Sequence, residues 1–402
     1  MKLKMALALL TTFVAVVIFF IPGVSMPKPD GKYQAGVTQF ELGEGENWIQ
    51  VMAWYPGEAT ADAKFFPYMP QWLGQAIAKQ QGLPEVLFTD DGISSSYLDI
   101  PVAAGQHPIL IYNHGYGSTP MQSMTQFEQL ASHGYIVLSL GHPGDSLVLK
   151  RLQGELIHQT AQASIELDET TSNTVMEMGP YWQQLARSEN RQQWQQRLAE
   201  IEQLPLFERS NARFDYWVAN NELLLDSLID LQSGAVNSLL QSHLNLAKIG
   251  AYGHSFGGAV SVAVALKRPE VLAVLNMDGP QFRFEQDQVI DKPICFVYGD
   301  ESEGLFASYQ GINDTLLKDV QAEHCSVTFK GANHNNFTDV NYITPMKYFG
   351  LIGEVDNQQM GKALNNLLLG YFDWQLNGAD PWQSQHDMVK TNKLALTQPQ
   401  SD

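Results

Sequence analysis

The chain has 402 residues, 44% hydrophobic and 17% charged, which is enough apolar material for a large core and too much for a mostly disordered chain. Its formal net charge of −19, from 43 acidic and 24 basic residues, repels a phosphate backbone and excludes nucleic acid as an expected partner. The same charge gives no attraction to anionic lipid, so any peripheral contact with a lipid surface has to be hydrophobic.

Residues 1–25 read as an export signal, with Lys2 and Lys4 ahead of an apolar run over 5–21 and then Pro22, Gly23 and Ser25. A periplasmic or secreted location is expected. An uncleaved N-terminal anchor is the alternative, because the run is long for a signal and short for a membrane span. Residues 26–386 are expected as one domain. Short β-type runs alternate there with longer helical ones, which implies an α/β fold with a mainly parallel central sheet flanked by helices.

Near its start, Phe65-Phe66-Pro67-Tyr68-Met69-Pro70-Gln71-Trp72-Leu73 is dense in large apolar residues, and is expected either in the core or as a lipid-facing lip. Strands are expected at 48–55, 109–113, 135–140, 249–252, 271–277, 294–298 and 326–329, several of them nearly continuous apolar runs suited to burial on both faces. The stretch 154–203, rich in Gln, Glu and Arg with scattered apolar residues, reads as a helical cap insertion. Helical periodicity is clearest over 214–231, where Phe214, Trp217, Val218, Leu224, Leu225, Leu228 and Ile229 fall on one stripe, and over 358–376. Residues 387–402 are polar without an apolar pattern and are expected as a loose tail.

The sharpest motif is Gly253-His254-Ser255-Phe256-Gly257, a G-x-S-x-G pentapeptide between the expected strand 249–252 and a helical run over 259–266. Strand, tight turn and helix together lift a serine above the sheet, and the flanking glycines relieve the crowding of such a turn. Serine needs a neighbouring base and an orienting carboxylate, which follow in the order Ser, acid, His in this fold. Of the downstream histidines, His334 lies in the turn-rich loop Gly331-Ala332-Asn333-His334-Asn335-Asn336-Phe337 and is the expected base. His324 is expected as a surface or strand-edge residue, and His254 and His133 as locally bonded ones.

Two aspartates end apolar strands, Asp278 after 271–277 and Asp300 after 294–298, and either could hold an imidazole in the correct tautomer. Topology alone favours Asp300, from the later strand. The turn His114-Gly115-Tyr116-Gly117 after 109–113 is where this fold builds one side of an oxyanion hole, so the N–H groups of Tyr116 and Phe256 are the expected donors. Cys295 and Cys325 are expected as two buried thiols, with a disulfide permitted in an oxidising compartment. No metal ligand set accompanies them, so no metal is expected.

At these positions the sequence resembles the plasma-type platelet-activating factor acetylhydrolases, which are lipoprotein-associated phospholipases of the α/β-hydrolase superfamily. His114-Gly115-Tyr116-Gly117, Leu130-Ala131-Ser132-His133-Gly134-Tyr135-Ile136-Val137, Lys248-Ile249-Gly250, Gly253-His254-Ser255-Phe256-Gly257-Gly258, Met277-Asp278 and His334-Asn335-Asn336-Phe337 carry the likeness. In that family the acid follows the strand just after the nucleophile helix, so the resemblance implies Asp278 rather than Asp300. It further implies an acyl-enzyme on Ser255, formed without cofactor or metal from short or oxidised acyl chains at the sn-2 position of phospholipids. The Gly-His-Ser-Phe-Gly-Gly and Leu-Ala-Ser-His-Gly strings also occur in dienelactone-hydrolase-like and polyester-cleaving enzymes. Those activities, an amidase and a catalytically silent binding protein therefore stay open beside a short-chain or lipid esterase.

Overall fold

A computed structural model describes residues 26–395 apart from 81, 83, 85–91, 161, 162, 164–168, 285–287, 302–305, 319, 343–346, 348, 349, 381 and 383–387. The expected export segment lies outside the described residues. Among those described, the strands are β1 (Gln34–Glu44), β2 (Asn47–Gly57), β3 (Phe65–Pro67), β4 (Ile93–Leu98), β5 (His107–Asn113), β6 (Ile136–Gly141), β7 (Val148–Lys150), β8 (Leu156–His158), β9 (Leu244–His254), β10 (Val271–Met277), β11 (Ile294–Tyr298), β12 (His324–Phe329) and β13 (Val389–Ala395). Eleven of them make one sheet in the order β13-β12-β11-β10-β9-β5-β6-β2-β1-β4-β3, and β7 pairs with β8 alone. The six strands from β12 to β6 run parallel, while β13 and β2 flank them antiparallel.

Each of the seven expected strands falls on one of β2, β5, β6, β9, β10, β11 and β12. Their apolar runs are covered on both faces: Ile109, Leu110, Ile111 and Tyr112 of β5 are all fully buried. Alternate side chains feed two cores. Ile109 and Ile111 join the core beneath α5 (Pro205–Ser233) and α6 (Phe256–Lys267), and Leu110 and Tyr112 join the one beneath α2 (Met124–Ser132) and α8 (Asn357–Asn377). On the second core, Leu73 and Ala76 of α1 (Gln71–Gln80) are buried as well.

Sequence marks the helix ends locally. Helix α5 begins at Pro205, whose missing N–H costs nothing there, and stops at Gly234 in the left-handed region (φ 85°). The Asp356 side chain caps α8 by accepting from Gln359 N–H at 2.9 Å. The stripe read over 214–231 is buried at Phe214, Trp217, Leu224, Leu225 and Leu228, but Ile229 is 67% exposed and is not part of it. Between β6 and α5 the chain forms the β7–β8 hairpin, α3 (Glu169–Ala186) and α4 (Arg191–Glu202). The side chains of Trp182 and Leu185 on α3, and of Trp194, Leu198 and Ile201 on α4, enter the same core as α5.

Two expectations change. The chain end is not a loose tail throughout, because β13 pairs antiparallel with β12 from His324↔Ala395 to Phe329↔Val389. Main-chain hydrogen bonding at a sheet edge needs no apolar alternation, so a polar sequence hid it. Cys295 and Cys325 are not free thiols: they sit directly opposite on parallel neighbours β11 and β12, with Cα atoms 4.5 Å apart, and form a disulfide. It closes a loop with a sequence separation of 30, for which the chain-entropy contribution is about 3–4 kcal/mol. The double substitution Cys295→Ser with Cys325→Ser is therefore expected to lower unfolding free energy by about that amount in urea titration, with no change on adding reductant to the variant.

Candidate active site

Strand β9 passes into α6 through Ser255, whose backbone (φ 56°, ψ −126°) is a conformation that side chains other than glycine rarely adopt. The turn is fixed on both sides. Ser255 N–H donates to Met277 O (2.8 Å), and a Cβ at Gly253 or Gly257 would run into backbone of the turn and of Asn113. Ser255 itself is partly accessible above the sheet.

One strand further, Asp278 ends β10, again at positive φ (54°), with its N–H donating to Val297 O at 2.7 Å. Its Oδ2 lies 2.6 Å from His334 Nδ1, and Oδ1 accepts from Gly299 N–H at 3.3 Å. The pair is nearly dry, with 3% of the Asp278 side chain and 10% of the His334 side chain exposed. A carboxylate at Nδ1 favours the imidazole tautomer with its proton there, which leaves the Nε2 lone pair to accept a proton.

Asp300, the alternative acid, is exposed. Its carboxylate accepts from Gly331 N–H (3.3 Å) and its N–H donates to Ala332 O (2.8 Å), so it braces the start of the histidine loop and does not meet the imidazole.

The histidine loop enters a 3-10 turn, His334–Phe337, capped by Asn333 and Asn336. It is fastened to α2: Gln126 Nε2 donates to Phe337 O (2.7 Å), and buried Asp339 accepts from Thr125 N–H and Oγ1–H and from Tyr68 O–H (3.2 Å). Burial raises the Asp339 carboxyl to about 7 against the pull of those donors. The expected aromatic lip is thus tied to this loop through Tyr68. Trp72 and Met69 pack half-buried on the second core, and only Phe65 (51%) is well exposed among its large apolar residues.

The turn carrying Tyr116 closes with Ser118 N–H donating to Gly115 O (3.0 Å), a bond that does not use Tyr116 N–H. Phe256 is the first residue of α6, and its N–H is one of the four that a helix cannot satisfy internally. The two rings touch at 5.2 Å, so the expected oxyanion donors belong to adjoining residues. Beneath the turn, His114 packs on Trp217 (4.9 Å), whose Nε1–H donates to the buried Asp145 carboxylate (2.7 Å). Burial pushes His114 down to about 4, so its ring stays neutral.

Around Phe256 stand Phe214, Trp217 and Phe282 at 5.1–5.7 Å, and Phe306 stacks on the His334 ring at 4.0 Å. The site is therefore walled by aromatic carbon, suited to an acyl group. Three contacts escaped the sequence reading. Glu301, next to Asp300, accepts His334 N–H at 3.0 Å; His254 reaches the His334 carbonyl at 2.9 Å; Gln122 bonds His254. His324 is buried at the start of β12 rather than on the surface, with Nδ1 2.9 Å from Ala322 O. Among the described residues no group of three or more His, Cys, Asp or Glu is placed to hold a metal ion.

A mainly parallel sheet that delivers a serine from its central strand and an imidazole from a loop beyond it has the α/β-hydrolase architecture. The solved structure of a ferulic acid esterase from Streptomyces cinnamoneus shares this fold with a TM-score of 0.66 at 20% identity, over 92% of this chain and 100% of that one. The sequence matches the family "Platelet-activating factor acetylhydrolase, isoform II" over residues 18–393, and the chain belongs to that family. It is similar to the platelet-activating factor acetylhydrolases of Cavia porcellus (23% identical, covering 90% of this chain and 80% of the relative) and of Gallus gallus (21%, covering 93% and 90%). The protein is an ester hydrolase.

Proposed function

We propose that Ser255 is the nucleophile, His334 the general base and Asp278 the orienting acid of an esterase for short acyl esters, including acetyl or oxidised sn-2 chains of phospholipids. The observation that carries this is the buried 2.6 Å contact between Asp278 Oδ2 and His334 Nδ1, beside the Ser255 turn. His334 Nε2 takes the Ser255 proton as Oγ attacks the acyl carbonyl. The N–H groups of Tyr116 and Phe256 receive the oxyanion, and the proton passes to the leaving alkoxide as the C–O bond breaks. Water, deprotonated by His334, then releases the carboxylic acid and regenerates Ser255 Oγ–H.

The acetylhydrolase names of the relatives support the acyl class, and the close aromatic wall supports a short chain. Export is part of the same reading, supported by the signal-like residues 1–25 and by the disulfide. Among the described residues no helix is long and apolar enough to cross a membrane. Phe65, Ile93 and Leu98, 51%, 76% and 43% exposed along the β3–β4 edge, favour hydrophobic contact with lipid despite the negative charge.

A panel of acetyl, butyryl and long-chain esters, an acetyl and a long-chain phospholipid, a feruloyl ester and an anilide tests it. Acetyl esters are expected to exceed long-chain ones by at least about tenfold in kcat/KM. Faster cleavage of the anilide or of the long-chain phospholipid would discard the acyl assignment.

A further inference from the structure

Resting on the reading of His334 as the base, we infer that this residue is positioned through its main chain by a two-sided clamp, with the Glu301 carboxylate on its N–H and the His254 imidazole on its carbonyl. The two contacts come from different strand ends. Glu301 follows β11 and accepts His334 N–H at 3.0 Å, while His254 closes β9 and places Nε2 2.9 Å from His334 O.

The protonation of His254 follows from its partners. A carbonyl only accepts, so Nε2 carries the proton. Gln122 Nε2, an amide donor, lies 3.3 Å from Nδ1, so Nδ1 is the acceptor. The Gln122 amide is itself oriented, because its Oε1 accepts Gly115 N–H (2.8 Å) and Tyr112 O–H (3.1 Å). Burial and the neighbouring His334 hold His254 well below its ordinary range, which keeps it in this neutral form.

One chain of hydrogen bonds therefore runs from the Tyr116 turn through Gln122 and His254 to the base. The space is filled: a Cβ on Gly115 would stand 3.0 Å from His254 Nδ1 and 3.1 Å from Gln122 Nε2. His254 also lies against the His334 ring, with centroids 4.4 Å apart.

The opposite jaw carries charge. Glu301 is partly buried, and burial and the charge of Asp278 raise its carboxyl. Among the described residues, the ionisable groups packed about His334 are Asp278 from β10, Glu301 from the β11 end, His254 from β9 and Tyr309 from α7 (Tyr309–Leu316). Only the first two can bear negative charge at neutral pH, since Tyr309 is pushed further up by burial. Glu301 thus orients the base and adds a second carboxylate near the imidazolium that forms when Ser255 attacks.

The test uses full-length enzyme with Glu301→Ala, Glu301→Gln, His254→Leu and His254→Gln. It follows kcat and KM for 4-nitrophenyl acetate, the pH profile of kcat/KM, organophosphonate labelling of Ser255 and the thermal midpoint. Glu301→Ala and His254→Leu are expected to lower kcat on the order of tenfold with KM nearly unchanged, because a displaced base affects the transition state more than binding. Glu301→Gln keeps an acceptor and His254→Gln keeps a donor, so both recover most of kcat. Glu301→Gln also moves the acid limb of the profile to lower pH by roughly half a unit, since losing a negative charge disfavours the imidazolium.

If His254→Leu does not fold, the Glu301 pair decides alone. Equal kcat in Glu301→Ala and wild type, or an unshifted profile in Glu301→Gln, would overturn the clamp while wild-type labelling at Ser255 left the catalytic reading intact. Absence of labelling at Ser255 in the wild type would remove both.

Discussion

Ser255→Ala is expected to abolish covalent labelling by an organophosphonate and to reduce turnover of acetyl esters on the order of 10⁵-fold, while leaving the thermal midpoint within a few degrees. The probe reports on nucleophilicity, because it must be attacked by an activated hydroxyl and stays bonded to it. The backbone at Ser255 is set by the surrounding turn, with Ser255 N–H on Met277 O and the glycines in contact with neighbouring backbone, and none of this involves the hydroxyl. Alanine carries the same Cβ into the same φ of 56°, so the fold should persist. Residual hydrolysis should remain above that of water alone, since the substitution leaves the proposed oxyanion donors, the Tyr116 and Phe256 N–H groups, untouched. Labelling that survives in Ser255→Ala at another serine would transfer the nucleophile elsewhere and break the link between the turn and the chemistry.

The central fold was legible because its physics is local. Buried parallel strands must be apolar on both faces, and β5, β9, β10 and β11 announce themselves as such runs. The serine turn was legible for a similar reason, since an apolar strand run, the Gly253-His254-Ser255-Phe256-Gly257 pentapeptide and a helical run follow one another directly in the sequence. The edges were not. Strands β1, β4 and β13 mix polar residues into sequences such as Ile-Ser-Ser-Ser-Tyr-Leu, and owe their place to backbone pairing with a neighbour that the sequence does not name.

Pairwise geometry was also hidden. Cys295 and Cys325 form a bridge because β11 and β12 run parallel in a register that sets them opposite, and register is a property of the sheet. Glu301 stood beside a residue already considered, yet nothing in Asp300-Glu301 tells which carboxylate turns toward the histidine loop.

That same ambiguity makes the second large expectation sharp. Asp278→Asn should lower kcat by about 10³- to 10⁴-fold, whereas Asp300→Asn should stay within about threefold of the parent. In the parent, the Asp278 carboxylate lies 2.6 Å from His334 Nδ1, and in the proposed triad it accepts the Nδ1 proton and stabilises the positive ring formed during attack. An amide at the same place can present its NH₂ group to Nδ1, which draws the imidazole proton to Nε2 and removes the base's lone pair from the serine. A factor of 10⁴ corresponds to about 5.5 kcal/mol of transition-state stabilisation, far above the value of an exposed surface interaction. The Asp300 side chain accepts a long hydrogen bond from Gly331 N–H at an exposed position, and an asparagine oxygen can accept that bond equally well. Steady-state kinetics of the two variants, with labelling rates measured from pH 5 to 9, separate the aspartates. Were Asp300→Asn the more damaged of the two, the strand-end geometry would have to rearrange in the working enzyme, and His334 would take its orientation from β11 instead of β10.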